Sequence, residues 1–87
     1  MQLKTYEFDI ILMEMSEVTD EQADVLFAAG CDDGTPASSN GMAWIHFDRE
    51  APSLEEAIQS AVMQIRSAGF TASKAELDVA SMIVPAV

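Results

Sequence analysis

Eighty-seven residues make one small domain, and a composition of 49% hydrophobic and 22% charged residues excludes a disordered chain. No apolar run approaches the ~18 residues that a membrane-spanning helix needs. Fifteen acids against four bases, a formal net charge of −11, set the surface against nucleic acid and anionic lipid.

That charge favours basic protein partners or cations, although acidity also serves simply to keep a small protein soluble. The opening "MQLKTYEFD" reaches its acids at once and lacks the basic-then-apolar build of a secretion signal. A lone cysteine, Cys31, has no internal disulfide partner, which fits a reducing compartment. Together these features lead to the expectation of a cytoplasmic protein.

The segment "TYEFDIILMEM" predicts a strand over 5–15, with Tyr6, Phe8, Ile10 and Leu12 on one side and Glu7, Asp9, Ile11 and Met13 on the other. Thr19 with Gln22 three positions on forms a capping box, and Asp20 and Glu21 suit the positive end of a helix dipole. A helix is therefore expected over 20–29, burying Ala23, Leu26 and Phe27 and stopped by Gly30. In "CDDGTPASSNG", Asn40-Gly41 is a two-residue hairpin signal because both central positions of a type I′ turn need positive φ. Gly34 and Pro36 make its upstream arm, residues 32–39, an edge strand or an irregular one.

The downstream arm, "GMAWIHFDRE", alternates cleanly: Ala43, Ile45 and Phe47 on one side, Met42, Trp44, His46 and Asp48 on the other. Ser53 and Glu56 predict a second capping box, followed by a helix in "LEEAIQSAVMQIRSA" with Ala57, Ile58, Ala61, Val62, Ile65 and Ala68 on its buried face and Gly69 as its stop. "FTASKAELD" reads as a last strand, and residues 79–87, "VASMIVPAV", as an apolar tail that Pro85 limits to an edge role. The order β-α-β-β-α-β over residues 1–78 is that of the ferredoxin-like α+β fold. It predicts a four-stranded antiparallel sheet with strands one and three central and both helices on one face. A three-stranded fold, with the Gly34–Pro36 arm unpaired, is the competing architecture.

In that fold the second face of the sheet is open and carries Glu7, Asp9, Trp44, His46 and Asp48 together. One His beside carboxylates can act as an acid or base. An open face excludes no water, however, and no nucleophile or glycine-rich phosphate loop accompanies it, so no enzyme is expected. His46, Asp48 and Asp9 are acceptable ligand types for a divalent ion, but no linear metal motif joins them, and neither metal nor cofactor is expected. Trp44, an aromatic ringed by acids on a flat rigid sheet, reads instead as the anchor of a protein-binding surface. Face-to-face pairing of two copies, or cover by the tail, would hide the same residues. RNA binding through such a face needs basic surroundings, and these are acidic.

Further acids collect at the two helix starts: Glu14, Glu17, Asp20, Glu21 and Asp24 at the first, Asp48, Glu50, Glu55 and Glu56 at the second. Capping and the helix dipole need one or two each. The surplus, including Glu14, Glu17, Glu55 and Glu56, is either a solvated face or a steering charge that imitates a phosphate backbone.

The stretch "LFAAGCDDGTPASSNGMAWIHFDREAPSLEEAIQSAVMQIRSAGF", Leu26 to Phe70, resembles a family of small, mostly uncharacterised bacterial proteins. In that family an "LFEAGCDD"-like run precedes a "DFDREA-SLEEAI-SAI-DV-AG" pattern. Its longer members resemble two-part proteins in which such an acidic domain precedes a helix-turn-helix DNA-binding segment. This chain departs from them after Asp78, where no basic recognition helix follows, so no direct nucleic-acid binding is expected of it. In size, charge and fold, though in no shared motif, the chain also resembles inhibitors carried by mobile elements, including anti-CRISPR proteins. The expected function is thus a non-catalytic acidic binding protein that regulates or inhibits a nucleic-acid-handling partner through a basic surface of that partner. An oligomerisation or sensing module of a bacterial transcription regulator, such as a homodimer with Trp44 between subunits, is the alternative. A metal-dependent enzyme built on His46 is a second.

Overall fold

A computed structural model describes residues 3–77; the apolar tail assigned to 79–87 lies outside them. The elements are β1 (Lys4–Leu12), α1 (Asp20–Ala28), β2 (Gly34–Ser39), β3 (Met42–Ala51), α2 (Leu54–Ser67) and β4 (Ala72–Glu76). The four strands form one antiparallel sheet in the order β2-β3-β1-β4. This is the ferredoxin-like βαββαβ arrangement, and the Gly34–Pro36 arm does pair. Among the described residues no helix is long and apolar enough to cross a membrane.

The alternation in β1 and β3 sets the layers. Phe8, Ile10 and Leu12 meet Ala43, Ile45 and Phe47 on the helix side, all buried, together with Ala57, Ala61 and Ile65 of α2. The Phe8 and Phe47 rings stack with centroids 5.4 Å apart. Both helices end in the same way: the amide of the second residue past the cap donates to the carbonyl three residues before the cap, Cys31 to Leu26 and Phe70 to Ile65.

At the hairpin tip, Asn40 and Gly41 both have positive φ, and Ser39 pairs with Met42. Counted from that closing pair, Pro36 opposite Ile45 falls at a non-hydrogen-bonded position. Its missing N–H therefore faces away from β3, which is why an edge strand tolerates it. Gly34 is required by close approach: a Cβ there would stand 2.7 Å from Ile45 Cγ2 and 3.0 Å from Phe47 Cε1.

Several local expectations are corrected. The first strand stops at Leu12 because the chain turns at Glu14, which takes positive φ. Phe27 is 64% exposed rather than buried, and Leu26 is the one fully buried residue of α1. The first capping box is complete, but in the second only the Ser53 hydroxyl acts, accepting from the Glu56 amide. The last strand covers Ala72–Glu76, shorter than the segment "FTASKAELD".

Arg49 is the charged residue of the core, 6% exposed. Its position on β3 follows Ala43, Ile45 and Phe47 by alternation, so it points inward. It grips Asp33 in a two-pronged pair, Nε to Oδ2 at 2.8 Å and Nη2 to Oδ1 at 2.7 Å. It also donates to Ser60 Oγ and Gln64 Oε1 of α2 and to the Gly30 carbonyl after α1, with its guanidinium 4.9 Å above the Phe47 ring. One side chain thereby ties β3, α2 and the end of α1 together.

Candidate functional site

The open face is built by the alternate residues of the two central strands. Register places Glu7 opposite Asp48, Asp9 opposite His46 and Ile11 opposite Trp44. On the outer strands, Thr35 and Ala37 flank His46 and Trp44, while Lys74 and Glu76 flank Ile11 and Asp9. Lys74 and Glu76 pair with each other at 3.1 Å. Glu7, Asp9, Trp44, His46 and Asp48 therefore do share one surface. Trp44 is half-buried, and Ile11, beside it on the same face, is 6% exposed.

His46 is the centre of the charged part. Asp9 Oδ1 lies 2.7 Å from its Nδ1, a hydrogen bond in which the ring nitrogen donates because an ionised carboxylate can only accept. On the other side of the ring, Nε2 stands 3.7 Å from Glu7 Oε1 and 3.6 Å from Asp48 Oδ1. These distances exceed a hydrogen bond. The Asp9 hydrogen bond raises the imidazole's pKa above its ordinary value, assisted by the charges of Asp9, Asp48 and Glu7 and opposed by partial desolvation. Glu7, His46 and Asp48 each offer one ligand atom within 4.8 Å of the others, so these three are the residues able to hold a cation.

The other predicted acids do not join this patch. Glu14 and Glu17 are exposed in the turn and loop that follow β1, at the sheet end where Trp44 lies. Glu55 and Glu56 are exposed in the first turn of α2, beyond the opposite end of β3. They form two separate negative regions flanking the sheet.

On the helix side, Ala23, Leu26, Phe27, Cys31, Pro36 and Ile45 line an apolar hollow of about 180 Å³. It is small beside the ~300–1,000 Å³ of ordinary ligand pockets. The Cys31 thiol is buried there, and burial pushes its pKa up, which disfavours the reactive thiolate. Sequence reasoning missed Arg49, although the alternation that placed Phe47 inward also placed Arg49 there. Comparison with known proteins adds no relative: no protein-family model, curated protein or solved structure matches the chain.

Proposed function

We propose that the protein is a non-catalytic binding module that regulates or inhibits a nucleic-acid-handling protein by docking its open sheet face onto a basic surface of that partner. One observation carries the reading: a half-buried indole, Trp44, stands beside Ile11 on a rigid sheet face whose other side chains include Glu7, Asp9 and Asp48. The aromatic supplies contact area, and the carboxylates supply charge complementarity and a fast encounter. The flanking acids Glu14 and Glu17 extend the same field at the Trp44 end. With a net charge of −11 on each copy, a basic partner suits this face better than a second copy of the chain.

The test is capture of partners from a bacterial lysate on the immobilised chain at low and high salt. The reading requires a basic nucleic-acid-binding protein that is released by salt, competed off by nucleic acid and lost with Trp44→Ala. Retention indifferent to salt and to Trp44→Ala would refute it. A salt-resistant dimer that dissociates on Trp44→Ala would instead assign the face to self-association.

A further inference from the structure

We infer that Glu7, His46 and Asp48 form a binding site for a first-row divalent transition-metal ion, with Asp9 as the outer partner that orients the imidazole. The site lies on the proposed docking face, but it needs no partner protein to fill, so either reading can fail without the other.

The distances carry the inference. Nε2 of His46 is 3.6 and 3.7 Å from one oxygen each of Asp48 and Glu7. That is too long for hydrogen bonds and near the spacing of donors that share an ion, with all three ligand atoms within 4.8 Å of one another. With metal–nitrogen and metal–oxygen bonds near 2.0–2.2 Å, tetrahedral ligand atoms stand about 3.3–3.6 Å apart. The orientation agrees. Nδ1 is occupied as a donor to Asp9 at 2.7 Å, which in the neutral ring leaves the lone pair of Nε2, the nitrogen nearer Glu7 and Asp48, free to ligate. A ligating His with its other nitrogen on a carboxylate is the usual outer-shell device of metal sites.

The backbone holds this geometry ready. Glu7 and Asp48 are direct register partners, as are Asp9 and His46, on the two central strands. Among the described residues no lysine or arginine lies within ion-pair distance of Glu7, Asp9 or Asp48. Apart from the His46 ring, from which a metal ion displaces the proton, these carboxylates have no cationic side chain among the described residues to neutralise them. One imidazole and two carboxylates suit Zn²⁺ or Mn²⁺ better than Ca²⁺ or Mg²⁺, which prefer all-oxygen sites. Three protein ligands on an exposed face leave a position open to water.

The experiment titrates the chelator-stripped full chain with Zn²⁺ against a chromophoric competitor and follows the His46 ring nitrogens by NMR. The site requires one equivalent of Zn²⁺ to bind and the Nε2 resonance to move. Binding should weaken at least tenfold in both His46→Ala and Asp48→Asn, and roughly 10–100-fold in Asp9→Asn, the range for loss of an outer-shell partner. Asp48 is exposed, so Asp48→Asn reports on the site even if His46→Ala disturbs folding. Glu55→Gln and Cys31→Ala should bind as the parent does. No stoichiometric binding, unchanged affinity in Asp48→Asn, or affinity that follows Cys31 would each overturn the site.

Discussion

Asp9 and His46 face each other across the two central strands, joined by a 2.7 Å hydrogen bond beside Glu7 and Asp48. The pair makes the imidazole easier to protonate in the folded chain than in the unfolded one. Folding is therefore favoured by this group in full below the ordinary histidine pKa of about 6.5, and the contribution fades as pH rises through the higher folded value. NMR titration of the metal-free chain should place the His46 midpoint above the ordinary value, and Asp9→Asn should bring it down. Melting temperature should fall more steeply across that window in the parent than in His46→Gln. With the imidazole 39% exposed, solvent screening keeps the effect small.

Arg49 is predicted to be the most costly single loss. Arg49→Met leaves Asp33, Ser60, Gln64 and the Gly30 carbonyl without their shared donor. Removing one partner of a buried ion pair costs about 3 kcal/mol or more, and urea denaturation should show it. Arg49→Lys should recover little, since an ammonium lacks the planar fork that Asp33 engages.

Gly34→Ala should destabilise by roughly 1–3 kcal/mol, the usual penalty for overpacking a well-filled core. The added methyl stands closer than van der Waals contact to Ile45 and Phe47, both buried, so one of them must shift to admit it. Chemical denaturation measures the loss, and hydrogen exchange should localise it to the β2–β3 hairpin.

Trp44 is the only tryptophan, so its fluorescence reports on the open sheet face proposed for docking. In the free chain a soluble quencher should reach it in part. On partner binding the emission should shift to the blue and quenching should drop. Trp44→Ala should cost about 2 kcal/mol or more of partner affinity, as central aromatic anchors do. The variant should stay folded, since Trp44 lies outside the helix-side core.

Much of the fold was legible because alternation in "MAWIHFDRE" admits one strand phase, and Asn40-Gly41 and Pro36 fix the turn and the edge. The same phase put Glu7, Asp9, Trp44, His46 and Asp48 on one face. What it could not give was register. The 3.6 and 3.7 Å spacings around Nε2 arise from which residues of β1 and β3 stand opposite, a long-range property that no linear motif carries. Phe27 was misread because its helical position beside Leu26 predicts burial only if a sheet lies beneath it. α1 covers too little of the sheet to do so, and Leu26 alone is buried. Arg49 went unnoticed because a charge is assumed to seek water, whereas here Asp33 and two α2 side chains replace it.

Pro36 has a consequence beyond the monomer. The rim of β2 is one place where a neighbouring molecule could add a strand of its own and begin a fibre. The proline leaves a gap in the outward row of donors midway along that rim, so an incoming chain cannot zip past it. Mutual repulsion between highly charged copies acts in the same direction, so both features work against strand addition along this border.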